Sequence, residues 1–206
     1  MPRNSKHLMI AIDWYGPYLT LKEARAEADI AGFYMVIGRR QGQKRAGLQY
    51  IGIGGRVATR LNERHHAIRY VQPEGRKIWL GMVSTAEPGG RKLKATPKTL
   101  DYGEWMHALY CRLPLNKMKT KNEPPVSVTV INRWLTAYED EETENYEWVS
   151  RPHADWPDLI DFPDAYEKEA RMVWFDGTRR MKIDRGQAKK AARVMCLNYV
   201  ENAEEL

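Results

Sequence analysis

Two tyrosines, an arginine and a glutamate within the first 120 positions are of types that can together break a phosphodiester bond. Gly32-Phe33-Tyr34 and Tyr50-Ile51-Gly52 place Tyr34 and Tyr50 in two β-rich runs, so both hydroxyls can point at one spot. Hydrolysis needs a water deprotonated beside phosphorus. A tyrosine can accept that proton once a nearby metal lowers it from its usual pKa of about 10. Arg60 brings a guanidinium able to clamp phosphate oxygens and offset transition-state charge. Glu104 is a hard oxygen donor for Mg²⁺ or Mn²⁺, although Asp101-x-x-Glu104 also fits a helix start at which the glutamate caps backbone N–H groups. Residue types alone do not choose between the two tyrosines as base.

The intervals make these residues a set. Arg60 lies ten residues after Tyr50, and Asn116 lies twelve after Glu104. In this order and spacing they resemble the signature of the GIY-YIG nucleases, over about residues 30–122. The resemblance implies metal-dependent endonucleolytic hydrolysis of DNA, with Tyr34, Tyr50, Arg60, Glu104 and Asn116 as catalytic residues. It assigns one Mg²⁺ or Mn²⁺ to Glu104 and a site-propping role to Asn116. The fold it implies is α+β, a small antiparallel three-stranded sheet flanked by helices. Two departures stand out. Where many family members carry a histidine four residues after the arginine, this chain has Arg64, with His65 and His66 following. The interval from Tyr34 to Tyr50 is also long at sixteen residues, as is the basic loop before Glu104. Both insertions add Lys and Arg: Arg39, Arg40, Lys44 and Arg45 in the first, and Arg91, Lys92 and Lys94 in the second. With Arg56, Arg64 and His65 these are the candidate nucleic-acid contacts. A non-catalytic nucleic-acid-binding module is the alternative reading, because the charge division needs no active site.

That division is pronounced. Residues 1–122 carry a balance of +13, whereas residues 123–206 carry −7, within a total of +6 for the 206-residue chain. A basic half is the electrostatic footprint of a polyanion partner. The expected organisation is therefore a basic nuclease-like part over 1–122, with residues before 30 as an N-terminal strand and helix, and an acidic C-terminal α+β extension over 123–206. The extension is a candidate surface for a protein partner, and its most acidic stretch, 139–169, is a candidate cover for the basic half. No apolar run is long enough to cross a bilayer, and the basic N-terminus is not followed by a signal-like apolar stretch. Cys111 and Cys196 lack metal-ligand spacing and read as reduced thiols, so a cytoplasmic protein with no membrane partner is expected.

Periodicity and breakers predict the elements that must position the set. Strands are expected at 8–15, 32–38, 48–53, 77–83 and 126–135, and helices at 20–29, 55–67 and 101–112. Arg56, Arg60 and Arg64 would then form one helix stripe. Residues 139–169 read largely as loop, 173–183 as a hairpin turning at Asp176-Gly177, and 186–200 as a final helix.

Overall fold

The computed structural model describes residues 7–87, 91–92, 95–140, 143–163, 169–175 and 179–184. Its strands in chain order are β1 (Leu8–Tyr18), β2 (Gly32–Gly38), β3 (Gly47–Gly54), β4 (Lys77–Val83), β5 (Ala86–Glu87), β6 (Arg91–Lys92), β7 (Val128–Asp140), β8 (Thr143–Trp148), β9 (Leu159–Phe162), β10 (Glu169–Trp174) and β11 (Arg179–Asp184). Two α-helices join them among the described residues, α1 (Leu21–Glu27) and α2 (Pro97–Tyr110).

The expected three strands are present, but they are one end of something larger. β2 pairs antiparallel with both β3 and β4, as anticipated. The far edge of β4 is then taken by β1, and β1 is paired in parallel with β7, from Leu8↔Val128 to Tyr15↔Leu135. Among the described residues nine strands form one mixed sheet, ordered β11-β10-β9-β7-β1-β4-β2-β3 with β8 on β7. This overturns the small three-stranded sheet flanked by helices. The physical reason lies in two alternating strands, with Ile10, Ile12 and Trp14 buried on one and Val128, Val130 and Trp134 on the other. β1 covers the open backbone edge of β4, β7 covers the far edge of β1, and both apolar rows are buried at once. β1 is therefore the middle of the sheet, and the acidic half supplies strands to it.

Each face of the sheet has its own core. On one, α2 packs over Phe33, Met35 and Ile51, together with Trp14, Trp79, Trp134 and Trp156. On the other, α1 covers Val36, Ile78 and Leu80, joined by Tyr34, Tyr50, Val57, Leu61 and Ile68. Successive strand residues face opposite ways, which is why Phe33 and Tyr34 belong to different cores. α1 begins as expected at Thr20, whose hydroxyl accepts from Glu23 N at 3.1 Å.

Other expectations are corrected. No helix spans 55–67; a 3-10 turn at Val57–Thr59 is followed by irregular chain and a second 3-10 turn at Ile68–Tyr70. Local side chains take the helical partners: Thr59 Oγ1 donates to Arg56 O at 2.8 Å, and His65 Nδ1 accepts from Ala67 N at 3.2 Å. The arginine stripe of that helix is lost with it. α2 starts at Pro97 rather than at 101, under a Thr96–Thr99 capping box, so Glu104 is an interior helix residue and caps nothing. Within 139–169, β8 and β9 replace much of the expected loop. β10 and β11 pair as the expected hairpin, while its Asp176-Gly177 turn, the 186–200 helix and Lys94 lie outside the described residues. No helix among the described residues is long and apolar enough to cross a membrane.

Candidate active site

Strand register brings the tyrosines together. Tyr34 lies opposite Gly52 and Val36 opposite Tyr50, so the two tyrosines are diagonal neighbours on one face, with ring centroids 5.8 Å apart. Gly52 is required by this arrangement. A Cβ there would fall 2.4 Å from the Tyr34 hydroxyl, so only a bare backbone lets that ring lie across β3. Both rings are nearly covered, Tyr34 at 1% and Tyr50 at 7% exposure.

The irregular chain that replaces the expected helix delivers His65. Its Nε2 is 3.0 Å from the Tyr34 hydroxyl oxygen, and its ring centroid is 5.3 Å from that of Tyr50. Nδ1 accepts backbone N–H groups from Ala67 and Ile68 at 3.2 and 3.4 Å, so a neutral ring carries its proton on Nε2 and donates it to Tyr34. Burial, then the charges of His66 and Arg60, push the His65 pKa down to about 4. The imidazole is therefore neutral at ordinary pH, and its N–H donates to the Tyr34 hydroxyl oxygen.

Burial is also the largest influence on the tyrosines and raises both. Tyr34 is the more deeply covered of the two, so Tyr50 is the easier of the pair to ionise. Arg60 lowers both and Glu104 raises both, so the two charges act on the pair in opposite senses. Arg60 is exposed just after the first 3-10 turn, and its guanidinium has no ion-pair partner among the described residues. A free cation beside a proton acceptor is what an incoming phosphate requires.

α2 carries Glu104 from the opposite face of the sheet. Its close approach depends on Gly103, where a Cβ would meet the Phe33 ring at 2.5 Å. Lys119, in a left-handed conformation with φ of 59°, folds back onto this helix. Its ammonium is held by Asp101 Oδ1 at 2.5 Å and, closer still, by Glu104 Oε2. Two carboxylates one helical turn apart thus already share one cation. Hard oxygen donors arranged around a cation fit Mg²⁺ or Mn²⁺, which would have to displace the ammonium. No cluster of three or more His, Cys, Asp or Glu is placed to hold a metal among the described residues. Water and substrate oxygens would have to fill the remaining positions.

Asn116 plays a different part from the other four. Its side chain accepts from Ile51 N at 3.0 Å and donates to Ile51 O at 2.8 Å, while Leu115 N donates to Gln49 O at 3.0 Å. This segment mimics a neighbouring strand along the sheet edge and fixes β3 on both sides of Tyr50. Of the expected contacts to nucleic acid, Arg39, Lys44, Arg45 and Arg64 are exposed, while Arg40 is half-buried. Arg56 is held by Asp29 at 2.6 Å. Arg91 and Lys92 lie in the short β6. Nothing in the sequence singled out Lys119, because its ion pair depends on a turn rather than on a motif. No protein-family model matches the chain, and neither does any curated protein or solved structure.

Proposed function

We propose that this protein is a metal-dependent endonuclease acting on DNA, using chemistry of the GIY-YIG type on a larger sheet. The observation that carries the reading is the polar relay from His65 Nε2 to Tyr34, 3.0 Å away, with Tyr50 beside it and Arg60 and Glu104 acting on both. Tyr50 serves as the general base, since it is the less deeply covered of the two and burial opposes its ionisation less. Tyr34, oriented by neutral His65, fixes the position of the Tyr50 oxygen. The free Arg60 guanidinium binds the phosphate and offsets charge as water attacks phosphorus. Glu104, with Asp101 next to it, would hold a divalent ion, which when bound supplies Lewis-acid stabilisation and reverses the local charge that raises both tyrosines. The basic loops follow the DNA backbone.

A plasmid nicking assay with Mg²⁺ or Mn²⁺ tests this. Wild type is expected to nick, and Glu104→Gln to lose at least about a hundredfold in rate. Full activity in Glu104→Gln would remove the metal-ligand assignment. Absence of cleavage by wild type favours the second reading, a nucleic-acid-binding module. That alternative draws on one observation, the Lys119 ammonium already seated on Glu104.

A further inference from the structure

We propose that a groove beside the end of β2 binds one unpaired nucleotide of a nucleic-acid strand. Past Gly38 the chain makes an isolated antiparallel bridge, Arg40↔Val71, backed by Gln72 N donating to Arg39 O at 2.8 Å. Around this bridge lies an open groove of about 680 Å³, lined by Arg40, Gln41, Arg69, Tyr70, Gln72 and Leu115, with Val71 and Pro73. Its size lies within the roughly 300–1,000 Å³ of small-molecule pockets, and its chemistry is that of a nucleotide subsite.

Five features point to that ligand. No acidic side chain lines the groove, while two arginines do. Tyr70 is 52% exposed, an aromatic face left in water where a base can stack. The Arg69 guanidinium lies 4.8 Å from the ring centroid and donates to its hydroxyl at 2.8 Å, which holds the ring in place and keeps a cation against it. Arg40 Nε–H is buried without a partner among the described residues, a donor that a phosphate oxygen or base edge would satisfy. The Gln41 and Gln72 amides can both donate and accept, as a base edge requires. A base held in such a recess is unpaired, since pairing would keep it in a stacked duplex.

The groove also shares a wall with the candidate active site. Leu115 lines it and packs on the core that contains Tyr50, and the next residue, Asn116, is bonded to Ile51. A strand seated at Arg60 and Tyr50 would thus be read by the groove. The proposal rests on the nucleic-acid part of the reading above and not on hydrolysis.

The test is fluorescence anisotropy with the full chain in EDTA, comparing a labelled oligo-dT of about twelve nucleotides with a blunt duplex. Tyr70→Ala should lose about tenfold on oligo-dT and less than about twofold on the duplex, with Tyr70→Phe, which keeps the ring but not the Arg69 bond, losing less than Tyr70→Ala. Arg40→Met should weaken oligo-dT binding and lower its salt slope by about one. Thermal melts of each variant matching wild type show that the fold is kept. Unchanged oligo-dT affinity in both Tyr70→Ala and Arg40→Met, or equal losses on the two probes, overturns the groove alone. A wild type that binds neither probe overturns the nucleic-acid reading with it. Binding here together with no nicking in the Mg²⁺ or Mn²⁺ assay would sink only the hydrolytic assignment.

Discussion

His65 and His107 stand on opposite faces of one sheet, both pushed by burial to a pKa of about 4, yet their surroundings differ in kind. His107 is fully buried, edge-on to Trp14 at 5.6 Å and Trp156 at 6.3 Å. Its nitrogens face Gly103 O at 2.8 Å and Asn132 Oδ1 at 3.0 Å, two acceptors of which a neutral ring can serve only one. Asn132 is committed as well, accepting from Trp14 Nε1 at 2.7 Å and donating to Pro157 O at 2.9 Å. His65 instead has one tyrosine oxygen before it, exposed cations beside it and a half-open ring. A polar network walled in by tryptophans and main chain fixes a core. One that ends at an open group with unpaired charge nearby is placed for a ligand.

The strongest way to break the contrast is to damage each face separately. Tyr50→Phe should reduce nicking by roughly 10²–10⁴-fold while leaving the melting temperature almost unmoved. Trp156→Ala removes a side chain at 0% exposure, packed 4.7 Å from Trp14 and 5.6 Å from Trp134, and should cost about 3–5 kcal/mol in denaturant unfolding. If Tyr50→Phe destabilises as much as Trp156→Ala, the tyrosine face is merely core.

Acid sharpens the comparison. Both histidine pKa values lie below their ordinary 6.5, so the unfolded chain takes up protons that the folded chain refuses. Their contribution to stability is full above pH 6.5 and declines as pH falls toward 4. His107, fully buried, should account for up to about 1.4 kcal/mol per pH unit in that window, and the more exposed His65 for less. Unfolding of His107→Leu between pH 7 and 5 should show a flatter pH dependence than wild type. An unchanged slope would mean that His107 binds protons equally in the folded and unfolded chains, so that folding does not lower its pKa.

The smallest expected effect concerns Lys119. Removing its ammonium frees Glu104 and Asp101 together, so Lys119→Met should bind Mn²⁺ several-fold more tightly by paramagnetic resonance titration, an effect of roughly 1 kcal/mol. Unaltered Mn²⁺ affinity in a folded Lys119→Met protein would separate that ion pair from the metal position.

What the sequence determined by itself was local. Glycine-flanked β-rich runs placed Tyr34 and Tyr50 on adjacent strands, and the Thr20 cap and the run at Lys77–Val83 emerged where composition put them. Alternation fixes which residues share a face, so Tyr34 and Val36 lie on the side opposite Phe33 and Met35. Three things depended on the tertiary structure. The parallel pairing of β1 with β7 joins residues about 120 positions apart, which periodicity cannot specify because any apolar strand fits any open edge. His65 reached Tyr34 only because side-chain hydrogen bonds from Thr59 and His65 itself outcompeted the helix that spacing suggested. Lys119 met Glu104 through a left-handed turn whose direction no residue type declares. Residue chemistry and short-range geometry are written along the chain, whereas the choice among equally apolar partners is made by the whole core at once.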